Sequence, residues 1–306
     1  MKFSFSWLKD YLETDLSADE VGDVLTDTGL EVESLIDPRK RLGQLSVGEI
    51  LKVEKHPNAD KLKVCDVDSG TGILKIVCGA PNVKNGMKVV VAKPGDFIPG
   101  LNINLKASKI RDVKSEGMMC SEKELEISDE HDGIIELPSE TEVGTLFSEL
   151  VGDEKIIFEI AITPNRPDAL GIYGIARDLS ASGIGKLRVS KIPNVEGIFK
   201  PHLNINLDQA VSSKECPLFV GRYLRNVQNR ESPQWLKSRL IGIGLNPISA
   251  LVDITNYLTF DRARPLHVFD ADKLSGGLTV RRSVEGEKFH ALDDKIYDLN
   301  LSLIHI

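Results

Sequence analysis

Two sets of side chains in this 306-residue chain have the types and spacing to do chemistry. One is cationic. His56, Lys61 and Lys63 flank the turn His56-Pro57-Asn58-Ala59-Asp60, and Lys106, Lys109, Arg111 and Lys114 follow at close spacing around Ser108 and Ser115. Cations strung along short strands can track a phosphate backbone, each contact adding salt-sensitive affinity. A well-made β-turn carrying solvated lysines has the same spacing, so both readings stand on the pattern alone. The other set is polar: Thr255 and Asn256 in Asp253-Ile254-Thr255-Asn256-Tyr257, and His267 in Pro265-Leu266-His267-Val268-Phe269-Asp270. These could converge on a pocket and orient a water beside an ester, although a His in an apolar context is more often a satisfied core residue. No Ser-His-Asp order, nucleophile elbow or phosphate-binding glycine loop accompanies them. Arg166, in Thr163-Pro164-Asn165-Arg166-Pro167-Asp168, could grip a phosphate or carboxylate bidentately, but a structural tie at this strand-to-helix turn is the favoured reading.

Composition bounds what these residues can serve. With 41% hydrophobic and 27% charged residues the chain is globular, and its length allows two or three domains. The formal net charge of -8 argues by itself against a nucleic-acid binder. Its distribution argues the other way. From Val47 to Ser115 there are twelve Lys and Arg against seven Asp and Glu, whereas Glu116 to Leu150 holds eleven acids and only Lys123. A positive lobe beside a negative one can face a phosphate backbone despite the negative total. Phe97 is the only Phe, Tyr or Trp in the positive stretch, which favours recognition of folded RNA by shape and phosphate over stacking of single strands. Cys65, Cys78, Cys120 and Cys216 form no CxxC pair, so reduced thiols in a cytoplasmic protein are the simplest account. A zinc site from His56, Cys65 and Cys78 fits no standard spacing, and Met118-Met119-Cys120 reads as core packing. No apolar run approaches a membrane span, and the start lacks a secretory signal.

The elements that must position these residues follow from periodicity. Ser17 and Glu20 form a capping box ahead of a helix that Gly29 closes, and Leu30–Ile36 reads as a strand. Pro38 to Arg41 is a plausible linker. Strands are expected at Val47–Glu54, Leu62–Val67, Ile73–Cys78, Lys88–Ala92 and Ile134–Leu137, separated by Gly and Pro turns, the pattern of a small β-barrel. Lys155–Ile162 reads as a further strand, and Asp168 as the cap of a helix carrying Ile172, Ile175, Ala176 and Leu179. After a linker near Lys186–Pro201 come strands at Leu203–Leu207 and Phe219–Arg225. A helix then starts at Ser232-Pro233, and another follows Ser249. The chain stops in Asn300-Leu301-Ser302-Leu303-Ile304-His305-Ile306, an apolar strand with no terminating turn, as a fragment would.

With these residues assembled, the chain resembles the amino-terminal part of the bacterial phenylalanine–tRNA ligase β subunit, from Met1 to about Asn300. The markers are Phe5-Ser6-Trp7-Leu8, the His56–Leu62 turn, Cys78-Gly79-Ala80-Pro81-Asn82, Gly117-Met118-Met119-Cys120-Ser121, Thr163–Asp168, Asp253–Tyr257 and His267-Val268-Phe269-Asp270. The resemblance implies a multidomain α+β protein: a small α/β domain (1–40 and 152–198) interrupted by an OB-type β-barrel (41–151), followed by a truncated mixed α+β domain (199–306). It implies tRNA(Phe) binding by the barrel, hydrolysis of mischarged tyrosyl-tRNA at Thr255, Asn256 and His267, and an α subunit partner in an α2β2 tetramer. ATP and Mg²⁺ would belong to the assembled enzyme, with no cofactor or metal in this stretch, and no DNA or membrane partner. The family's usual Arg-Pro-Ile-Asn stands here as Asn246-Pro247-Ile248-Ser249, and Gly-Gln-Pro as Ala263-Arg264-Pro265. An acidic partner expected later lies beyond Ile306, which leaves the pocket incomplete. The tail Leu301–Ile306 fits the family poorly, so His305 is not read as a ligand. The competing expectations are a non-catalytic tRNA-binding module and a structural subunit whose barrel contacts only protein.

Overall fold

The first strand, Lys2–Ser4, finds its partner more than 150 residues away, in Ile157–Ile160. The fold is that of a computed structural model describing residues 1–128, 131–189, 191–291, 294–300 and 304–305. The chain divides into two compact units. One holds Met1–Val189 with Gln234–Pro247 and Thr259–Arg264; the other holds Ser190–Pro233, Ile248–Leu258 and Pro265–Ile306.

In the first unit, Ile157–Ile160 lies between Lys2–Ser4 and Val32–Ile36 in an antiparallel three-stranded sheet. Phe3 stacks on Phe158 at 5.2 Å between ring centroids. The helix Ala18–Asp27 carries the expected capping box, Ser17 and Glu20 satisfying each other's backbone amides, and Gly29 follows at φ +86°. Pro38–Arg41 is a single 3-10 turn capped by Asp37. The helix Ile172–Ala181 starts after Gly171, so Asp168 does not cap it. Instead Asp168 sits in the turn Pro167–Leu170 and receives Arg166 bidentately, at 3.0 and 2.9 Å. Arg166 also reaches Asp178, and Arg177 reaches Asp168. The guanidinium of Arg166 is thus spent inside the chain, in the structural role. The hydrogen bond from Arg166, with help from Arg177, holds the Asp168 carboxyl well below the usual carboxylate range. This clasp therefore contributes above the ordinary carboxylate pKa and is lost only as pH falls far below it.

A buried carboxylate ties the Thr259–Arg264 segment to the amino-terminal helices. Asp261 is 2% exposed and accepts from Trp7 Nε1 at 2.9 Å and from the Tyr11 hydroxyl at 2.8 Å. Its charge is met by Arg262 Nε at 3.0 Å, whose guanidinium lies over Tyr173 and Tyr11, 4.4 and 4.8 Å from the ring centroids.

Inserted between Val32–Ile36 and Ile157–Ile160 is an antiparallel sheet in the order Met118–Met119, Lys88–Ala92, Ser46–Lys55, Lys63–Asp68, Ile73–Cys78, with Glu136–Leu137 also pairing Lys88–Ala92. Alternation along these strands feeds two cores. Ile50, Cys65, Val67, Val89, Val91 and Met119 pack in one, and Val90, Ala92, Ile98, Cys120 and Phe147 in the other. Among the described residues the strand ladders leave this sheet open, so the expected closed barrel is not formed by strand pairing. Its two ends do approach: Glu116 N donates to Lys75 O at 2.7 Å, and Val77 N donates to Ser115 Oγ at 3.1 Å. Asn82 bonds both backbone groups of Ile134, at 2.8 and 3.1 Å, which explains its place after Cys78-Gly79-Ala80-Pro81.

In the second unit Asn204–Leu207 runs parallel to Gly277–Arg282, which pairs antiparallel with Ile304–His305. Lys288–His290 and Ile296–Asp298 form a separate ladder. Phe219–Arg225, expected as a strand, has irregular backbone; a strand persists only where a neighbour satisfies its backbone groups. The helix Gln234–Gly242, which belongs to the first unit, follows Ser232-Pro233 as expected, and the next, Ala250–Arg262, has residues in each unit. The Ser232 hydroxyl donates to the buried Asp253 carboxylate, which also accepts from Ile248 N at 2.9 Å. No helix among the described residues is long and apolar enough to cross a membrane.

Removing the buried carboxylate leaves the Trp7 and Tyr11 donors and the Arg262 charge uncompensated. Asp261→Ala is expected to cost about 3 kcal/mol in urea unfolding, whereas a loss below about 1 kcal/mol would mean that these groups find water instead.

Candidate nucleic-acid interface

The cationic residues are presented by a hairpin. Ser108–Ile110 pairs with Val113–Ser115, placing Lys109 directly opposite Lys114. Arg111 and Asp112 form the two-residue connection, both at positive φ, +50° and +70°. That is the backbone of a type I′ turn, whose twist matches the strands but which favours Asn and Gly. Non-glycine residues there cost on the order of 1 kcal/mol each, so something must hold the turn.

The His56 loop supplies that hold. His56 is 5% exposed; its Nδ1 accepts from Asn58 N at 3.1 Å, and its Nε2 meets Ile110 O at 3.0 Å. A ring nitrogen that accepts an amide proton carries none, so Nε2 bears the hydrogen and donates to the Ile110 carbonyl. Asn58 Nδ2 adds a bond to Arg111 O at 3.3 Å. The loop after Ser46–Lys55 and the hairpin tip are thereby locked together.

This arrangement sorts the cationic residues. Lys61, at the end of the His56 loop, and Lys106, Lys109, Arg111 and Lys114 are exposed. Lys114 pairs with Glu116 at 2.6 Å, which relieves its repulsion from Lys109 across the ladder. Lys63 is half-buried and donates to Val83 O at 3.0 Å, bracing a neighbouring loop. The expectation that His56 itself faces a phosphate meets a ring engaged at both nitrogens and covered by its surroundings. Asn58 went unremarked as a site residue, although Pro57-Asn58 was a visible turn signal.

Cys65 and Cys78 point into the core beneath this surface. Burial, with the neighbouring Cys78, pushes the Cys65 thiol up to about 11, and burial raises Cys78 and Cys120 as well. These are inert apolar thiols; Met119 packs with Cys65 and Cys78, and Cys120 lies in the other core. Among the described residues no group of three or more His, Cys, Asp or Glu is placed to hold a metal ion.

The polar set is less assembled. Thr255 and Asn256 lie half-buried on the helix Ala250–Arg262, and the Thr255 hydroxyl donates to Val252 O at 2.7 Å. His267 is exposed in an irregular stretch, its ring 6.1 Å from that of Phe269. No hydrogen bond joins it to Thr255 or Asn256.

Four exposed cations thus sit on or beside a hairpin held by the His56 loop. Residues 45–146 match the family described as a tRNA binding domain, and residues 215–305 match the B3/4 domain family. The phenylalanine–tRNA ligase β subunit of Ruegeria pomeroyi is 53% identical over 302 residues, 97% of this chain and 38% of that protein. The corresponding subunit of Bartonella quintana is 50% identical over 302 residues, 98% of this chain and 37% of that protein. The resemblance carried by the sequence motifs therefore holds over nearly the whole chain, which spans a little over a third of the length of these subunits. Among solved structures, a MetRS related protein from Pyrococcus horikoshii is 28% identical over 33% of this chain and 85% of that one, with a TM-score of 0.24.

His56→Ala would strip the Ile110 carbonyl and the Asn58 amide of their buried partner. The expected cost is about 1–2 kcal/mol, with faster hydrogen exchange of the amides from Ser108 to Ser115 than in the rest of the sheet. Uniform exchange across the sheet would deny the strut its local role.

Proposed function

We propose that this chain is the RNA-docking part of a phenylalanine–tRNA ligase β subunit, in which Lys61, Lys106, Lys109, Arg111 and Lys114 meet the phosphates of tRNA(Phe). Lys63 and His56 set the loops that carry them. One observation carries the reading: an energetically costly turn bearing Arg111 is held in place by the buried His56 and by Asn58. Exposed arginine on a pre-formed tip loses little freedom on binding, so more of each contact is kept as affinity. The approach of the two sheet ends, through Glu116 and Ser115, supports treating this region as an OB-type barrel.

On this reading 1–40 and 152–198 form one small α/β domain around a barrel domain of 41–151, with 199–306 belonging to a proofreading-type domain. The assembled cytoplasmic enzyme is an α2β2 tetramer in which the α subunit, ATP and Mg²⁺ supply phenylalanyl-tRNA formation. Similarity to named β subunits along nearly the whole chain supports this. Proofreading follows from chemistry: a phenylalanine site rejects an added hydroxyl only weakly, so tyrosine enters. Hydrolysis adds water to the ester carbonyl and breaks its bond to the ribose oxygen, which takes the proton. Thr255, Asn256 and His267 are the residues proposed to orient that water.

A second reading, a tRNA-binding module without chemistry of its own, is favoured by the exposure of His267 and its separation from hydrogen bonding with Thr255 and Asn256. It predicts that residues beyond 150 are dispensable for binding.

Salt dependence tests the docking surface. Each of Lys109→Ala and Arg111→Ala is expected to lower the slope of log affinity for tRNA against log salt by about 1. An unchanged slope in both would remove the hairpin from the interface. For proofreading, His267→Ala in the assembled enzyme is expected to slow tyrosyl-tRNA hydrolysis by about 100-fold or more; a wild-type rate would take His267 out of the reaction.

A further inference from the structure

We infer a second RNA contact in this unit, a groove that takes an unpaired nucleobase stacked on Phe97. It rests on the RNA-binding reading above and extends it from phosphates to bases. The groove, about 660 Å³, is lined by Lys40, Arg41, Gln44, Leu45, Phe97 and Asn104. That size suits a small planar ligand. Phe97 is 39% exposed, and Leu101 and Ile103 beside it on the same hairpin are each 47% exposed.

The support under the ring is stiff. Phe97–Ile98 pairs with Ile103–Asn104, placing Phe97 directly across from Asn104. Gly95 N donates to Leu105 O, Leu105 N to Asp96 O and Gly100 N to Glu124 O, each at 2.8 Å. A Cβ on Gly100 would lie 2.3 Å from the Lys123 carbonyl oxygen, so this close approach admits only glycine. A ring mounted in this way needs little ordering when a base arrives.

The rest of the lining has the complementary chemistry. Bases splayed from folded RNA are held by stacking on an aromatic ring and by hydrogen bonds to their edges. Gln44 and Asn104 each offer both a donor and an acceptor. Lys40 and Arg41 are paired with Asp19 and Glu126, each at 2.6 Å. Both pairs are solvent-exposed, the kind a phosphate can displace at little cost. Lys106 follows Asn104 by two residues and Lys109 by five, so these cations lie within roughly 18 Å of the groove along the chain.

The test uses the full chain with a single-stranded RNA 12-mer and the same oligomer lacking its bases. Phe97→Ala is expected to weaken binding of the intact 12-mer roughly 5- to 100-fold without changing the salt slope, and Phe97→Tyr to restore it. Phe97→Trp should be quenched by the intact oligomer and not by the abasic one. Wild-type affinity in Phe97→Ala, or in Phe97→Leu, which keeps the apolar bulk without a π face, would overturn the inference, as would equal quenching by the abasic oligomer. If Phe97→Ala has no effect while Arg111→Ala still lowers the slope, the groove alone is rejected. If neither variant changes binding, the RNA-binding reading falls with it.

Discussion

One buried imidazole sets the geometry of the cationic surface. His56 uses both ring nitrogens inside the protein, one to close its own loop at Asn58 and the other to hold the Ile110 carbonyl at the base of the hairpin tip. One neutral tautomer makes both bonds: Nδ1 accepts from Asn58, and Nε2, which then carries the proton, donates to Ile110. The placement of Arg111, at a φ that most side chains avoid, is downstream of this coupling.

Beneath that surface the fold depends on closures between distant parts of the chain. Ile157–Ile160 is the middle strand of its sheet, so Lys2–Ser4 and Val32–Ile36 have no shared edge until residues 37–156 have been looped out. Such a loop costs little extra free energy per added residue, because closure entropy grows only with the logarithm of length. An independent sheet can therefore be carried at this point without unsettling its host. The Asp261 node performs a comparable closure, bringing Trp7 and Tyr11 to a segment some 250 residues away.

Local patterns were legible in the sequence, and long-range choices were not. The capping box of Ser17 and Glu20, the strands Ile73–Cys78 and Lys88–Ala92, and the apolar role of Met119 and Cys120 depend on neighbours within a few residues or on simple alternation. Asp168 was misread because a strand-to-helix Asp usually caps, whereas two arginines here compete for its carboxylate more strongly than a backbone amide does. Of the residues proposed to bind, the cations stand out in the sequence, but which of them face solvent does not. Whether Lys63 faces solvent or a carbonyl at Val83 is decided by a loop 20 residues away. The Thr255, Asn256 and His267 set was legible only through the resemblance, since no spacing in the sequence brings His267 back to the helix.

Charge shows how local and global readings can be reconciled. The sequence places a positive lobe beside a negative one, but ion pairs tie the acidic stretch to that lobe, Lys114 with Glu116 and Lys84 with Glu136, and to Arg41 ahead of it, through Glu126, each at 2.6 Å. In the free protein the acidic stretch serves as a set of tethered counterions. All three pairs are exposed, so each is worth at most about 1 kcal/mol and yields readily to a better anion. A duplex phosphate track, whose charge density condenses cations from solution, is such an anion, because releasing those ions adds a favourable entropy that a single carboxylate cannot offer. With a screening length near 8 Å in physiological salt, the remaining acids of a chain with net charge -8 are largely hidden from that contact. On the RNA-docking reading proposed above, these tethered acids are displaced more readily by a polyanion than by an isolated carboxylate.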